Sequence, residues 1–271
     1  LLKTIPFEAI FIDEAQNIKN PNTQVSKAVK QLTAKFKVAM TGTPIENHIQ
    51  DLWNIFDFVM PNYLGKLSQF ENDLKNGRKE QIKTRIKPFI LRREKREVLD
   101  SLPEKTEIII KCDMSPEQEQ LYKTVLDAAK KGIKNIKGNK ERLNVLTALL
   151  KLRQVCIHPK LLKEVNGANI SSAKFDLAKE KIIDLIDEGH KIVMFSQFTN
   201  MLDIMAEWTN QQGYYTERID GSVSAKDRIE AVNRFQTSDE PGMFLISLKA
   251  GGVGLNLTAA DYVIHLDPWW N

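Results

Sequence analysis

The sequence predicts an α/β protein of two units built on parallel sheets. Three observations predict it: short apolar runs alternate with stretches of helical period, the runs end in acidic, hydroxyl or glycine residues, and the composition is that of a folded chain. With 271 residues, 42% hydrophobic and 27% charged, the chain is long enough for two cores and too apolar for wholesale disorder.

Phe7–Ile12 is an apolar run stopped by Asp13 and Glu14, and Lys37–Met40 is another that ends at Thr41; both are expected as buried parallel strands. Between them Val25, Ala28, Val29 and Leu32 recur at helical spacing, giving strand, helix, strand. A helical zone from about residue 46 to 99 carries Trp53, Phe56 and Phe58 and is interrupted by Pro61 and Pro88. The boundary between the units is expected near Pro103, so that residues 1–102 form the first and 103–271 the second. Thr106–Lys111 is a β-branched run. Ser115 then has the character of an N-cap, with Pro116 at the first helical position and Gln118 completing a capping box. The helical, basic stretch that follows, about 115–165, reads as an insertion in which Leu143, Leu146, Leu149 and Leu150 form an apolar stripe beside Arg153. From Phe175 onward helices (Phe175–Ile186, Met201–Trp208, Lys226–Phe235) alternate with strands (Ile192–Phe195, Tyr214–Ile219, Phe244–Ser247, Tyr262–Leu266). Gly189 and Gly213 stop the first two helices, and Ile229, Val232 and Phe235 are expected to share the buried face of the third. Ligands of such sheets gather beyond the carboxyl ends of the strands.

Charge is unevenly spread. Residues 75–96 contain ten cations against Glu80 and Glu94, and residues 130–142 contain six against Glu141. Either run is a solvated helix face or a surface for a polyanion. No apolar stretch is long enough to span a membrane, so no membrane partner is expected. Cys112 and Cys156 lie outside any CxxC pattern, which argues against a disulfide framework or a thiolate zinc site and for a reducing compartment. Cys156 and His158 lack neighbouring ligands, and a structural role is expected for both.

Two carboxylates at the end of a strand, Asp13 and Glu14, suit magnesium-assisted phosphoryl chemistry, in which one holds the water shell of the ion and the next orients the attacking water. They stand in Asp13-Glu14-Ala15-Gln16 with Asn17-Ile18-Lys19-Asn20-Pro21, followed by Met40-Thr41-Gly42-Thr43-Pro44-Ile45-Glu46-Asn47 and Asp51-Leu52-Trp53. Further on come Pro88-Phe89-Ile90-Leu91-Arg92-Arg93, Val193-Met194-Phe195-Ser196-Gln197-Phe198 and Asp220-Gly221-Ser222. Leu245-Ile246-Ser247-Leu248-Lys249-Ala250-Gly251-Gly252-Val253-Gly254-Leu255-Asn256-Leu257-Thr258 and His265-Leu266-Asp267-Pro268-Trp269-Trp270-Asn271 complete the series. In this order the segments resemble the motifs of the SWI2/SNF2 family of DNA-translocating ATPases, over nearly the whole chain.

The resemblance implies two RecA-like lobes, the first incomplete, each with a helical insertion, and an ATP-dependent enzyme acting on double-stranded DNA and on DNA-bound proteins. It implies ATP and Mg2+ as cofactors. Asp13 would hold Mg2+ through water, and Glu14 would position or deprotonate the attacking water, as the catalytic pair. Gln16, Thr41, Gly42 and Thr43 would couple nucleotide state to the other lobe. Gly251, Gly252 and Gly254 are expected to bind nucleotide, although the sequence leaves open whether each amide faces nucleotide or DNA. Gln197, Ser222, Lys249, Asn256 and Trp270 are the expected DNA-backbone contacts, with packed core as the alternative for Trp270.

Two departures accompany the likeness. No GxxxxGK[ST] loop occurs, and the chain stops before the arginines of the sixth motif of the family, so it is read as an internal fragment inactive by itself. A rival reading is a nucleic-acid-binding or docking module without turnover. A cytoplasmic location is expected, nucleoid-associated in a bacterium or archaeon and nuclear in a eukaryote.

Overall fold

The computed structural model describes residues 2–43, 49–93, 105–133, 139–162, 170–251 and 254–267. The chain divides into two compact units, Leu1–Lys105 and Thr106–Asn271. The boundary expected at Pro103 lies outside the described residues.

In the first unit, β1 (Phe7–Ile12) and β2 (Ala34–Ala39) pair in parallel, Phe7 opposite Ala34 and Ile12 opposite Ala39. A short helix, α1 (Gln24–Lys30), makes the crossover, its first turn capped by the Thr23 hydroxyl, which accepts from the Ser26 N–H. The strands are parallel as expected, but they are not buried on both faces. Phe11 and Phe36 are 62% and 60% exposed, on the face turned away from α2 (Gln50–Val59). On the other face α2 packs against β2, and the Lys37 ammonium lies 4.9 Å from the Phe58 ring centre. Among the described residues the expected helical zone holds three α-helices, α2, α3 (Leu67–Lys75) and α4 (Lys79–Ile86), around Leu52, Trp53, Phe56, Phe70, Ile82 and Ile86. The breaks fall at Pro61 and at Gly65 and Gly77, both glycines having positive φ.

The second unit opens without a strand. Thr106–Lys111 makes no ladder, and Ile108 and Ile109 are 79% and 86% exposed, because β propensity without a partner strand does not form a sheet. Helices α5 (Pro116–Ile133) and α6 (Asn139–Ile157) follow and pack together. Only half of the capping box forms. The Gln118 N–H donates to the Ser115 hydroxyl at 3.2 Å, but the Gln118 side chain turns inward, donating to the Val155 carbonyl (2.7 Å) and accepting from the Ala173 N–H (3.3 Å). It thereby ties the start of α5 to the end of α6 and the start of α7 (Ala173–Asp187). Leu143, Leu146, Leu149 and Leu150 are exposed in this chain.

Four strands, β3 (Lys191–Ser196), β4 (Tyr215–Ile219), β5 (Gly242–Ser247) and β6 (Tyr262–His265), form an all-parallel sheet in the order β4-β5-β3-β6. Helices α7 and α8 (Thr199–Gln212) cover the face of Ile192, Met194, Met243 and Leu245, and α9 (Ala225–Thr237) covers that of Val193, Phe244 and Ile246. Gly189 and Gly213, both at positive φ, stop α7 and α8. On α9 the buried positions are Ala231 and Phe235, with Val232 at the edge; Ile229 is 63% exposed, so it does not share the core face.

Candidate functional site

In the first unit the carboxyl ends of β1 and β2 stay joined beyond the strands. The Met40 N–H donates to the Ile12 carbonyl at 2.8 Å, and the Ala15 N–H donates to the Met40 carbonyl at 2.9 Å. This places Thr41–Thr43 beside Asp13–Gln16. Asp13 and Glu14 are exposed. Glu14 has φ 50° and ψ 50°, a left-handed conformation uncommon outside glycine, and Asp13 Oδ1 accepts from its N–H at 2.8 Å.

A chain of hydrogen bonds then runs through the expected coupling residues. Gln16 Nε2 donates to Glu14 Oε2 (2.5 Å), Thr41 Oγ1 donates to Gln16 Oε1 (2.6 Å), and the Thr43 N–H donates to Thr41 Oγ1 (3.1 Å). Gly42 lies inside this chain, yet a methyl group there would meet nothing within 4 Å. Pro44 lies outside the described residues.

Beneath this chain sits Asn54, which the motifs did not single out. It is fully buried on α2, and its Nδ2 donates to the Ile18 carbonyl and to Ser26 Oγ (2.8 Å for the latter). Its Oδ1 accepts from Lys30 Nζ at 2.5 Å, and Lys30 also pairs with Asp57 at 2.5 Å and lies over the Trp53 ring. One carboxamide therefore fixes the short helix after Glu14 and the crossover helix α1. The only signal in the sequence is a polar residue among the apolar positions of Asp51-Leu52-Trp53-Asn54.

In the second unit the expected residues lie at or just beyond the carboxyl ends of β3, β4 and β5, which point the same way because the sheet is parallel. After β4, Asp220 anchors a turn: Ser222 donates to its Oδ1 from the hydroxyl (2.6 Å) and from N–H (2.9 Å), and the Arg218 fork donates to its Oδ2 (3.1 and 2.9 Å). These bonds, the Ser222 hydroxyl first, hold the Asp220 carboxyl below the usual carboxylate range. Arg228 closes the turn by donating to the carbonyls of Asp220 (2.9 Å) and Val223 (3.0 Å).

After β5 the chain enters α10 (Leu248–Gly251), where Lys249 is exposed. Gly251 has a packing reason to be glycine that its motif does not reveal: a Cβ there would stand 2.5 Å from the Phe195 ring. Gly254, at φ 49°, meets no such crowding. Gly252 and Trp270 lie outside the described residues. Asn256 is exposed. Two residues on, the loop is tied to α9 by Gln236, which donates to the Thr258 hydroxyl and accepts from the Ala259 N–H.

Gln197, just past β3, is half-buried rather than presented on the surface. Its Oε1 accepts from Arg153 on α6 (3.1 Å), its N–H donates to Asp267 Oδ2 (3.0 Å), and its Nε2 is buried without a partner among the described residues. Burial pushes the Asp267 carboxyl above its ordinary range. His158 is buried and Cys156 half-buried. His158 Nδ1 accepts from the Lys160 N–H (3.2 Å), and its ring packs edge-on against Phe175.

Comparison with known proteins shows which family the chain belongs to. A model of the SNF2-related domain matches residues 1–161, and a model of the helicase conserved C-terminal domain matches residues 173–271. The first match crosses into the second compact unit, taking in α5 and α6. A Mycoplasma pneumoniae protein named an uncharacterized ATP-dependent helicase is 41% identical over 269 residues, covering 98% of this chain and 26% of the relative. The Saccharomyces cerevisiae ISWI chromatin-remodeling complex ATPase ISW1 is 32% identical over 292 residues, covering 100% of this chain and 26% of the relative. The solved Sulfolobus solfataricus SWI2/SNF2 ATPase core in complex with dsDNA superposes with a TM-score of 0.57 at 39% identity, covering 100% of this chain and 60% of that one. The chain thus spans about a quarter of the length of these two curated relatives.

Proposed function

The chain belongs to the SNF2-related family, and on that premise we propose that it is part of an ATP-driven motor that moves along double-stranded DNA and remodels DNA or DNA–protein complexes. The observation that carries this reading is the hydrogen-bond chain from Glu14 through Gln16 to Thr41 and Thr43. It joins the group suited to orient water to a second segment at the same sheet edge, so that a shift at Thr41 is felt at the Glu14 carboxylate. Asp13, one residue earlier and equally exposed, is the group suited to hold the water shell of Mg2+. Among the described residues no three His, Cys, Asp or Glu side chains cluster. That donor set suits an ion that keeps most of its water and meets the protein through one or two carboxylates. Bound Mg2+ would neutralise charge developing on the transferred phosphoryl group.

Lys249, Ser222 and Asn256 are exposed in the second unit and are assigned to the phosphate backbone of DNA, with Trp270 and Gln197 as further candidates. The solved relative with dsDNA supports a duplex as partner. Contacts of this kind read no sequence and weaken steeply with salt.

The test is made in the full-length protein. Glu14→Gln should lower ATP turnover at least about 100-fold while duplex affinity stays within twofold. Hydrolysis that survives the substitution overturns the assignment. A parent protein that binds duplex without turnover would instead be a docking module.

A further inference from the structure

The basic run of residues 75–93 is not used by any of the residues assigned above. Within it eight cations face one carboxylate, Glu80; with α3 included, residues 67–93 hold the same eight cations against three acids, Glu71, Asp73 and Glu80, an excess of five positive charges. Lys75, Lys79 and Lys87 are exposed and have no ion-pair partner among the described residues, while Lys83 reaches only a loose contact of 3.6 Å with Glu80. Lys79, Lys83 and Lys87 recur at every fourth position. From Lys79 to Lys87 the helix rises about 12 Å, the axial length of three to four phosphates on one strand of a duplex, at about 3.4 Å each.

Beside the lysines, α3 and α4 enclose an open groove of about 610 Å³ whose walls include Asn62, Gln69, Asn72, Asn76, Arg78 and Arg85. Its chemistry is carboxamide and guanidinium. The one acid in it, Asp73, is paired with Arg78 at 2.8 Å. Arg85 stiffens the wall by donating to the Tyr63 carbonyl at 2.5 Å with its guanidinium over the Tyr63 ring. Tyr63 and Leu64 also line it, but polar side chains predominate, so it suits a polar ligand. Its amides donate to phosphate oxygens and accept from water or sugar, in the manner of sequence-independent backbone contacts.

We propose that the α3–α4 hairpin of the first unit is a second contact surface for the phosphate backbone of double-stranded DNA, made of other residues than the strand-end ones assigned above. The proposal rests on the motor reading above and adds a place where the first unit holds the duplex.

The experiment measures the affinity of the full-length protein for a labelled duplex across a range of salt. The triple variant Lys79→Glu/Lys83→Glu/Lys87→Glu should weaken binding about 10- to 100-fold and make the slope of log affinity against log salt shallower by roughly two to three, at about 0.9 for each phosphate no longer neutralised. DNA-independent ATP hydrolysis should be unchanged. Because charge reversal can disturb folding, the milder Lys79→Gln/Lys83→Gln/Lys87→Gln and the groove variant Asn72→Ala/Asn76→Ala are measured alongside, with the same direction expected. Affinity within twofold and an unchanged slope in all three variants overturns this surface alone. A parent that binds no duplex overturns the motor reading, and the surface with it. If poly-glutamate binds the parent but not the triple variant while duplex affinity is unaltered, the surface takes an acidic protein segment and the proposal fails.

Discussion

In the second unit every residue of β5 is buried, and Met243, Phe244, Leu245 and Ile246 have no exposed surface; in the first unit Phe11 and Phe36, on paired strands, are more than half exposed. The second sheet has helices on both faces, so the direction in which its strands deliver Gln197, Asp220 and Lys249 is set by apolar packing. Among the described residues of the first unit, a helix packs on one face of its sheet and Phe11 and Phe36 stand exposed on the other. Its strand-end residues are instead held by polar side chains: Asn54 below, and the Glu14–Gln16–Thr41 chain above. Apolar burial is non-directional and roughly additive, whereas a buried polar junction fails when a single partner is removed. The two units should therefore respond oppositely to the same kinds of substitution.

The largest contrast is expected from phenylalanines. Phe244→Ala removes a fully buried ring stacked at 5.1 Å on Phe235 and should destabilise the second unit by about 3–5 kcal/mol. Phe36→Ala, on the open face, should change the stability of the first unit by less than about 0.5 kcal/mol. Urea or thermal unfolding of the two variants checks this. Equal losses would mean that the exposed face is not free in solution.

The next effect tests the polar side of the comparison. Asn54→Ala leaves the Ile18 carbonyl, the Ser26 hydroxyl and the Lys30 ammonium short of a partner and opens a small cavity, at a cost of about 1–3 kcal/mol. Unlike Phe244→Ala, it should also lower ATP turnover of the full-length protein at temperatures where the fold is intact, because Ile18 follows Glu14 by one helical turn. Loss of stability with unchanged turnover would show that Asn54 supports the fold and not the carboxylates.

How far this difference was legible in the sequence depends on which force acts. Strands buried on both faces announce themselves: Ile192–Phe195 and Phe244–Ser247 are expected from their apolar runs, and the structure extends the first by one residue at each end and the second by two at its start. The ends of α7 and α8 were legible because Gly189 and Gly213 adopt the positive φ that stops a helix. Ile229 misled because an apolar residue at helical spacing need not fall within the arc the sheet covers, and the β-branched run Thr106–Lys111 pairs with no strand among the described residues. Gln118 read as a local cap, but three elements meeting at its side chain outbid the capping box. Gly251 shows the same limit from another side: its nearest neighbour, Phe195, is 56 residues away in sequence, so glycine there reads as a phosphate loop until the packing is seen. Asp13, Glu14, Gln16, Thr41 and Thr43 were found as motif residues; that they form one hydrogen-bonded chain, and that Asn54 supports it, depends on side-chain directions no spacing reveals.

The smallest effect concerns His158, which belongs to the apolar regime of the second unit although it is titratable. Burial is the first cause that lowers its pKa from 6.5 to about 4, with the nearby Lys160 adding to the shift and Asp176 opposing it. The unfolded chain therefore binds a proton between about pH 6.5 and pH 4 that the folded chain refuses. The stability of the second unit is full above pH 6.5 and falls as pH drops through that window, by about 1 kcal/mol at pH 5.5 and toward about 3 kcal/mol below pH 4. Carboxylates such as Asp220, whose pKa is lowered in the fold, lose their contribution only at lower pH. His158→Gln keeps an acceptor for the Lys160 N–H without a titrating ring, and should flatten the slope between pH 6.5 and 5 while costing some stability at pH 7. An unchanged slope in that variant would mean that the imidazole accepts its proton inside the folded core, and that burial there is less dry than the packing of Phe175 against it implies.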